Sequence, residues 1–152
     1  MTRPRRRPDT PSPEAGIPVV LYSCVHNAGR SVAARVLTEH YARGRVEVRS
    51  AGSEPGGSVN PTVAAALAER GLSADAEVPT LLTRSVVQSA DVVVTMGCGE
   101  TCPVLPGKRY VDWDVEDLAG KDLASVRRIV DEIDRRVRGL LGDLAVSVPP
   151  GA

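Results

Sequence analysis

The sequence predicts an α/β fold, a three-layer sandwich on a four-stranded parallel sheet with the strand order 2-1-3-4. Two observations lead to this prediction. Short, continuously apolar and β-branched runs without alternation, such as residues 17–22, are typical of strands buried on both faces of a parallel sheet. Segments with a helical spacing of apolar residues separate these runs, and strands that alternate with helices form parallel sheets through right-handed crossovers.

The predicted elements follow one another along the chain. The predicted strands cover residues 17–23, 46–50, 91–96 and 109–111. The predicted helices cover residues 31–42, about ten residues after Asn60, residues 84–89 and residues 123–141. Asn60 is a good N-cap, Pro61 suits the first helical position and Gly71 follows the end of that helix. Parallel sheets bind ligands where the strand order reverses, so the loops after the first and third strands are the places to look for a site.

Length and composition indicate one domain. The 152 residues are 42% hydrophobic and 25% charged, which suits a single core. We expect a catalytic domain at residues 16–143, a disordered basic, Pro-rich tail at residues 1–15 and a flexible tail at residues 144–152. Nineteen Lys and Arg residues balance nineteen Asp and Glu residues, so local groups must capture any bound anion. We expect neither nucleic acid nor a membrane as a partner.

Three cysteines are too few, and odd in number, for a secreted disulfide scaffold. No apolar run approaches the ~20 residues that cross a bilayer, and prolines interrupt the arginines near the N-terminus where a signal peptide would place its apolar region. The cysteines are therefore interpreted as thiols of a reducing compartment, and the protein is expected in the cytoplasm.

Residues 24–31 read C-V-H-N-A-G-R-S and lie between the first predicted strand and the first helix. Backbone amides of such a loop converge with the helix N-terminus on a tetrahedral oxyanion, and an arginine adds a bidentate pair. The predicted oxyanion-binding residues are Val25, His26, Asn27, Ala28, Gly29, Arg30 and Ser31. Positive surroundings favour the thiolate of Cys24, which makes it the predicted nucleophile, and Ser31 is placed to donate a hydrogen bond to its sulfur.

The alternative interpretation of this loop is a small buried cysteine in a turn, with Arg30 as an ordinary surface charge. A cation at a helix N-terminus is unfavourable unless an anion compensates it, which favours the binding loop. Asn27 and Gly29 suit positive backbone dihedrals. His26 is expected to contribute a backbone amide and no side-chain chemistry.

This loop, the Ser50-Ala51-Gly52 run after the second strand and the Asn60-Pro61 helix start resemble the low-molecular-weight protein tyrosine phosphatases and the arsenate reductases of the same fold. The resemblance covers residues 17–142. It implies that Cys24 is the nucleophile and that Arg30 binds the oxyanion. Some members hold potassium with a glutamate in the second turn of the first helix, where this chain has Arg35, so we expect no monovalent-ion site.

Two more cysteines follow the third strand, as the pair Cys98 and Cys102 flanked by Gly97 and Gly99. The predicted topology brings them beside Cys24, and three thiols at one crevice suggest attack, transfer and resolution through successive disulfides. The glycines would let this loop move. Two ordinary loop thiols or a zinc site are the alternatives, but the histidines do not have matching spacing for zinc, so we expect no metal.

The pair resembles the redox cysteines of thioredoxin-coupled arsenate reductases, particularly actinobacterial ones. The resemblance implies that Cys24 attacks bound arsenate, that Cys98 attacks Cys24 and releases arsenite, and that Cys102 attacks Cys98. It also implies no bound cofactor and reduction by thioredoxin, with mycothiol and mycoredoxin as the alternative.

A carboxylate after the fourth strand is expected to manage protons. The candidates are Asp112, Asp114, Glu116 and Asp117. By the resemblance Asp117 is the general acid, with Asp114 as the alternative; Leu118 stands where the family has proline, which leaves this loop less constrained. These acids could instead simply solvate a surface loop.

Three functions remain open at this stage. The leading one is an arsenate reductase. The second is a phosphotyrosine phosphatase that uses Cys24, Arg30 and Asp117, although phosphatases of that type have an Asp-Pro-Tyr acid loop and aromatic walls, and this chain is only 3% aromatic. The third is a non-catalytic oxyanion or redox sensor.

Overall fold

The computed structural model describes residues 17–97 and 104–144, and its central feature is a parallel sheet in the order β2-β1-β3-β4. The strands are β1 (Val19–Cys24), β2 (Glu47–Gly52), β3 (Val92–Met96) and β4 (Arg109–Asp112). The helices are α1 (Arg30–Ala42), α2 (Pro61–Glu69), α3 (Arg84–Gln88) and α4 (Leu123–Asp143). The predicted fold class and strand order are confirmed.

The register of the sheet gathers the strand ends at one edge. Cys24, the last residue of β1, pairs with Gly52 of β2 on one side and with Met96 of β3 on the other. The chain leaves the sheet from all three positions. The loops after β1, β2 and β3 therefore begin next to one another. Ligands of parallel sheets bind in a crevice at this edge, where the carboxyl ends of the strands meet.

The two faces of the sheet bury different clusters, because successive side chains of a strand point to opposite faces. Val20 and Tyr22 of β1 belong to the larger cluster, which includes the buried faces of α1, α2 and α4. Leu21 belongs to a smaller cluster with Val93 and with Val87 of the short helix α3. Helices on both faces give the three layers.

Capping explains two helix starts. The side-chain oxygen of Asn60 accepts hydrogen bonds from the amides of Thr62 and Val63 at 2.8 and 3.4 Å, and Pro61 opens α2 as predicted. The carboxylate of Asp122 accepts from the amide of Ser125 at 2.9 Å and caps α4. Hydrogen bonds from Ser125 hold the pKa of Asp122 below its usual value.

Several predictions fall on residues that are not described. The tail at residues 1–15 lies outside the described ranges, as does the C-terminal tail apart from Leu144. Cys98 and Cys102 also lie outside them. In the two described ranges, every helix is too short or too polar to cross a lipid bilayer.

Candidate active site

The loop between β1 and α1, residues 24–31, is held from outside by its carbonyl groups. The carbonyls of Cys24, Val25, His26 and Ala28 accept hydrogen bonds from the amides of Ser53, Glu54, Gly56 and Asn60, at 3.3, 2.7, 2.8 and 2.8 Å. The carbonyl and amide of a trans peptide unit point in opposite directions, so the amides that follow these carbonyls face inward. Inward-facing successive amides form the concave arrangement that binds anions. We call residues 24–31 the anion loop.

The close fit of the anion loop against β2 requires a glycine. A Cβ atom on Gly52 would lie 2.5 Å from the carbonyl oxygen of Val25 and 2.8 Å from the amide nitrogen of Asn27. Both contacts are with backbone, which cannot move aside cheaply. The Ser50-Ala51-Gly52 run therefore ends in glycine because the anion loop passes directly over it.

A directed chain of hydrogen bonds ends at the thiol of Cys24. The amide of Thr80 donates to Asn27 Oδ1 at 2.9 Å, and Asn27 Nδ2 donates to Ser31 Oγ at 2.7 Å. Ser31 Oγ lies 3.0 Å from Cys24 Sγ. Because the oxygen of Ser31 already accepts from Asn27, its hydroxyl hydrogen is available to the sulfur. When that hydrogen is directed at the sulfur, Cys24 accepts a hydrogen bond, which is what a thiolate does.

The prediction about backbone dihedrals in the anion loop was right for one residue and wrong for the other. Asn27 has φ of +49°, in the left-handed region that asparagine tolerates. Gly29 instead has φ of −137° at the N-cap of α1. A Cβ there would lie 3.3 Å from Leu118 Cδ1, so a larger residue at this position would fit only if the leucine side chain moved by a few tenths of an ångström.

Arg30, the first residue of α1, lies across the mouth of the loop with a side chain only 11% exposed. Its Nη1 donates to the carbonyl of Val115 at 3.1 Å, and its Nη2 lies 4.0 Å from Asp117 Oδ1. Gly97, directly after β3, leaves room for it, since a Cβ there would lie 2.8 Å from Nη1. Contacts from two other loops therefore hold the guanidinium at the N-terminus of α1. A positive charge is unfavourable there unless anions compensate it. Asp117 is one such anion, and a bound oxyanion would be a second.

A pocket opens above Cys24. It is lined by Cys24, His26, Ala28, Gly29, Arg30, Asn60, Asp117, Leu118 and Ala119. Cys24 is buried at its floor, with 2% of its surface exposed. No aromatic side chain of the Phe, Tyr or Trp type is among these lining residues. The pocket is therefore suited to a small anion more than to an aryl ester.

Asp117 and Asp114 are placed differently in the loop that follows β4. Asp117 lines the pocket with a side chain 61% exposed, whereas Asp114 is exposed and is not among the lining residues. Leu118 stands where the family has proline, and its side chain is buried against the anion loop. Packing of Leu118 therefore anchors the loop that follows β4. We call residues 114–121 the acid loop. The geometry brings Asp117, rather than Asp114, to Arg30.

The structure places His26 at the pocket and Trp113 in the core. The ring of His26 lines the pocket, and its Nδ1 lies 3.0 Å from the carbonyl of Glu54, which can only accept, so Nδ1 carries the proton. Trp113 is near the site in sequence but is 6% exposed and packs on Tyr22 with ring centroids 5.6 Å apart. It belongs to the core and forms no wall of the pocket.

Cys98 and Cys102 lie outside the described residues, and the structure describes the chain up to Gly97 before them. Gly97, with φ of +92°, is the last described residue before Cys98, and Met96 pairs with Cys24 across β1 and β3. The described chain before Cys98 therefore ends beside Cys24. In the part of the chain that the structure describes, no group of three or more His, Cys, Asp or Glu residues could hold a metal ion.

A buried thiol beneath inward-facing amides, with an arginine across the opening, defines a class of protein that binds a small tetrahedral oxyanion against a nucleophile. The chain belongs to the low molecular weight phosphotyrosine protein phosphatase family, whose sequence profile matches residues 19–149.

Relatives of the chain include arsenate reductases. Arsenate reductase 1 of Bacillus cereus is 31% identical over 123 residues, which cover 78% of this chain and 90% of that protein. A thioredoxin-dependent arsenate reductase of Corynebacterium glutamicum is 46% identical, with a TM-score of 0.76 over 85% of this chain but only 62% of that one. This protein thus spans less than two thirds of that relative. An arsenate reductase solved in its phosphate-binding state is 26% identical, with a TM-score of 0.75 over 86% of this chain and 100% of that one.

Sequence reasoning missed three contacts at this site: the Thr80 amide, the Val115 carbonyl and the approach of Gly97 to Arg30. Two of them are backbone groups, which carry no residue-type signal. Gly97 did stand out, but as a source of mobility for the loop. Its place directly after a buried strand was the available hint of a tight contact.

Proposed function

We propose that the protein is an arsenate reductase that uses Cys24 as nucleophile and Cys98 and Cys102 as a redox pair. The observation that supports this proposal is the pairing of Cys24 with Met96, because the last described residues before Cys98 then lie next to the thiol of the anion loop. The reductase names of the relatives support the same substrate.

The proposed reaction has three thiol steps. The Cys24 thiolate attacks the arsenic of bound arsenate, an oxygen leaves as water, and a sulfur–arsenic bond forms. The Cys98 thiolate then attacks Cys24 Sγ; the electron pair of the sulfur–arsenic bond passes to arsenic, which leaves as arsenite, and the two cysteines form a disulfide. Cys102 attacks Cys98, frees Cys24 as a thiolate and leaves a Cys98–Cys102 disulfide.

The residues around the pocket have distinct roles in this proposal. The amides of the anion loop and Arg30 bind the arsenate oxygens. Asp117 donates the proton to the departing oxygen, because it lines the pocket and is exposed enough to regain a proton from solvent. Ser31 stabilises the thiolate of Cys24 whenever that sulfur is the leaving group.

An external dithiol must return the electrons. We propose thioredoxin as this reductant, by analogy with the Corynebacterium relative, with mycothiol and mycoredoxin as the alternative. No bound cofactor is needed, since each electron pair moves between sulfur and arsenic. The reaction is consistent with a cytoplasmic location, where thiols are kept reduced.

Phosphotyrosine hydrolysis is the second candidate, favoured by the family to which the chain belongs. The same thiol, arginine and carboxylate could cleave a phosphate ester. The lining of the pocket speaks against an aryl substrate, because Trp113 is packed in the core and Leu118 and Ala119 line the side near Asp117.

One assay separates the candidates. Purified protein is tested for arsenate-dependent NADPH consumption with thioredoxin and thioredoxin reductase, and in parallel for hydrolysis of an aryl phosphate. The proposal predicts the first activity. Rapid hydrolysis without arsenate-dependent oxidation would put the phosphatase first, and the absence of both activities would favour the sensor.

A Cys102→Ser variant tests the relay itself. It is expected to complete one turnover and then stop in the thioredoxin assay, since Cys24 stays trapped with Cys98. Sustained turnover with thioredoxin would contradict the relay and favour a mycothiol-linked cycle that needs Cys24 alone.

A further inference from the structure

We propose that the ion pair between Arg35 and Glu77 is a positioning device for the nucleophile, through which α1 and the connection between α2 and α3 together hold the hydrogen-bond chain that ends at Cys24. Neither residue lines the pocket. The inference rests on the proposed role of Cys24 as nucleophile, but it does not depend on arsenate being the substrate.

The ion pair lies in an unusual setting for a surface connection. Glu77 lies in the exposed connection between α2 and α3, yet its side chain is only 8% exposed and turns inward to α1. Its Oε1 lies 3.5 Å from Nη1 of Arg35. Neither Glu77 Oε1 nor Arg35 Nε has a hydrogen-bond partner among the described residues. Burial raises the pKa of Glu77, the guanidinium of Arg35 opposes that shift, and Glu39, whose Oε1 lies 3.9 Å from Arg35 Nε, adds to it.

The connection is tied to the site three residues further on. The amide of Thr80 donates to Asn27 Oδ1 at 2.9 Å, and the carbonyl of Thr80 accepts from the amide of Gly52 at 2.8 Å. Val78 and Leu81, on either side, are 72% and 53% exposed and bury little surface. The backbone bridge between Gly52 and Leu81 and the packed side chain of Leu82 hold this stretch after Thr80, and the inward side chain of Glu77 attaches it to α1 before Thr80.

The consequence for Cys24 follows from the direction of the hydrogen bonds. Asn27 is in the left-handed region, and its amide group can serve Ser31 only while the Thr80 amide fixes its orientation. If the connection shifts, Asn27 loses that fixed donor, and Ser31 no longer has its oxygen occupied by Nδ2. The Ser31 hydroxyl can then donate to acceptors other than Cys24 Sγ, and the thiolate of Cys24 loses a stabilising hydrogen bond.

A buried charge without its partner is strongly unfavourable, so single substitutions at this pair also cost stability. Stability alone therefore cannot test a positioning role. The informative readout is the ionisation of Cys24, which a remote structural defect would leave unchanged.

The experiment measures the rate of Cys24 alkylation by iodoacetamide against pH, in a Cys98→Ser/Cys102→Ser background so that Cys24 is the reacting thiol. The variants are Arg35→Met and the shape-preserving Glu77→Gln. The matched control is Arg127→Met, which removes an exposed ion pair between α2 and α4. In that pair Arg127 Nη2 lies 2.6 Å from Glu69 Oε2, and neither residue lines the pocket. Protection of Cys24 by inorganic phosphate is measured in the same samples.

We expect both variants to move the midpoint of the alkylation profile upward by about one pH unit and to weaken phosphate protection about tenfold. The amide of Thr80 should exchange hydrogen faster in both, while the core strand β3 keeps its protection. Arg127→Met should leave all three quantities unchanged. A charge-swapped Arg35→Glu/Glu77→Arg protein should recover part of the shift.

Folded Arg35→Met and Glu77→Gln proteins with the alkylation profile and phosphate protection of the control would overturn the proposal. Failure of arsenate reduction would not, because alkylation and phosphate protection require no arsenate. A result in which the protein reduces arsenate but the profile does not move would leave the proposed function standing and remove this inference.

Discussion

The anion loop and the acid loop meet at the same pocket but are built in opposite ways. Four carbonyls of the anion loop are bound by amides of the following segment, and its cysteine is 2% exposed. The acid loop contributes an aspartate that is 61% exposed and lies 4.0 Å from Arg30. Its firm attachments are the buried Leu118 and the carbonyl of Val115, which accepts from Arg30.

This difference separates two requirements of the chemistry. A bound oxyanion and a thiolate are both stabilised by fixed dipoles. Such dipoles lower the free energy of a charge most when they need no reorganisation. Delivering a proton demands exchange with solvent, which a fully buried carboxylate could not do at a useful rate. We infer that the first loop is rigid for binding and that the second is exposed for proton transfer.

Loss of the nucleophile should have the largest effect. Cys24→Ser is expected to lower arsenate reduction by about four orders of magnitude or more, because an alcohol is a poor nucleophile at neutral pH. The introduced hydroxyl would still reach the oxygen of Ser31, so phosphate binding should persist. Steady-state kinetics and calorimetric titration with phosphate measure the two properties, and a loss of both together would mean that the loop had collapsed.

Replacement of Arg30 should come next. Arg30→Lys keeps the charge but loses the two-pronged geometry and the contact with the Val115 carbonyl, so kcat/KM is expected to fall about 10²- to 10³-fold. The same exchange at Arg128, on the exposed side of α4, serves as the control and should change kcat/KM by less than about twofold. Equal effects at both positions would remove the assigned role of Arg30.

The acid loop gives the sharpest test of the comparison. Asp117→Asn is expected to lower kcat about 10²-fold with little change in KM, because the proton donor acts in the reaction and not in binding. Asp114→Asn should behave as wild type, and the reverse pattern would assign the proton donor to Asp114.

The smallest expected effect concerns Gly97. Gly97→Ala places a methyl group 2.8 Å from Arg30 Nη1 at a φ of +92°, so we expect about tenfold weaker phosphate binding and a loss of about 1 kcal/mol of stability. Gly107→Ala has the same sign of φ, +81°, with nothing within 4 Å. It should lose similar stability and no affinity, as urea unfolding and phosphate titration can check.

The elements of the fold were predictable because each had a local signal. The buried runs of β1 and β3 are apolar throughout most of their length, and Asn60, Pro61 and Gly71 mark α2 by the chemistry of its ends. Strand order followed from the rules of parallel sheets rather than from any one residue. The C-x5-R-S spacing likewise located the anion loop, since the residue types themselves form the site.

Contacts that depend on backbone groups or on space were beyond sequence reasoning. The Thr80 amide and the Val115 carbonyl belong to residues whose side chains give no hint of the role. A positive dihedral angle was expected for Gly29, whereas the structure shows φ of −137° and a close approach to Leu118. The pairing of Arg35 with Glu77 joins residues distant in sequence, which no local pattern reveals.

The proposed reduction has one decisive step: Cys98 attacks the arsenic-bound sulfur of Cys24, so that arsenic takes the electron pair of the sulfur–arsenic bond while the two cysteines form a disulfide. A single-turnover experiment on the Cys102→Ser protein, without reductant and with excess arsenate, tests it most directly by arsenite determination and disulfide mapping. The account predicts about one arsenite released per chain and a Cys24–Cys98 disulfide. Arsenate left unreduced, or arsenite released while Cys24 remains a free thiol, would contradict it.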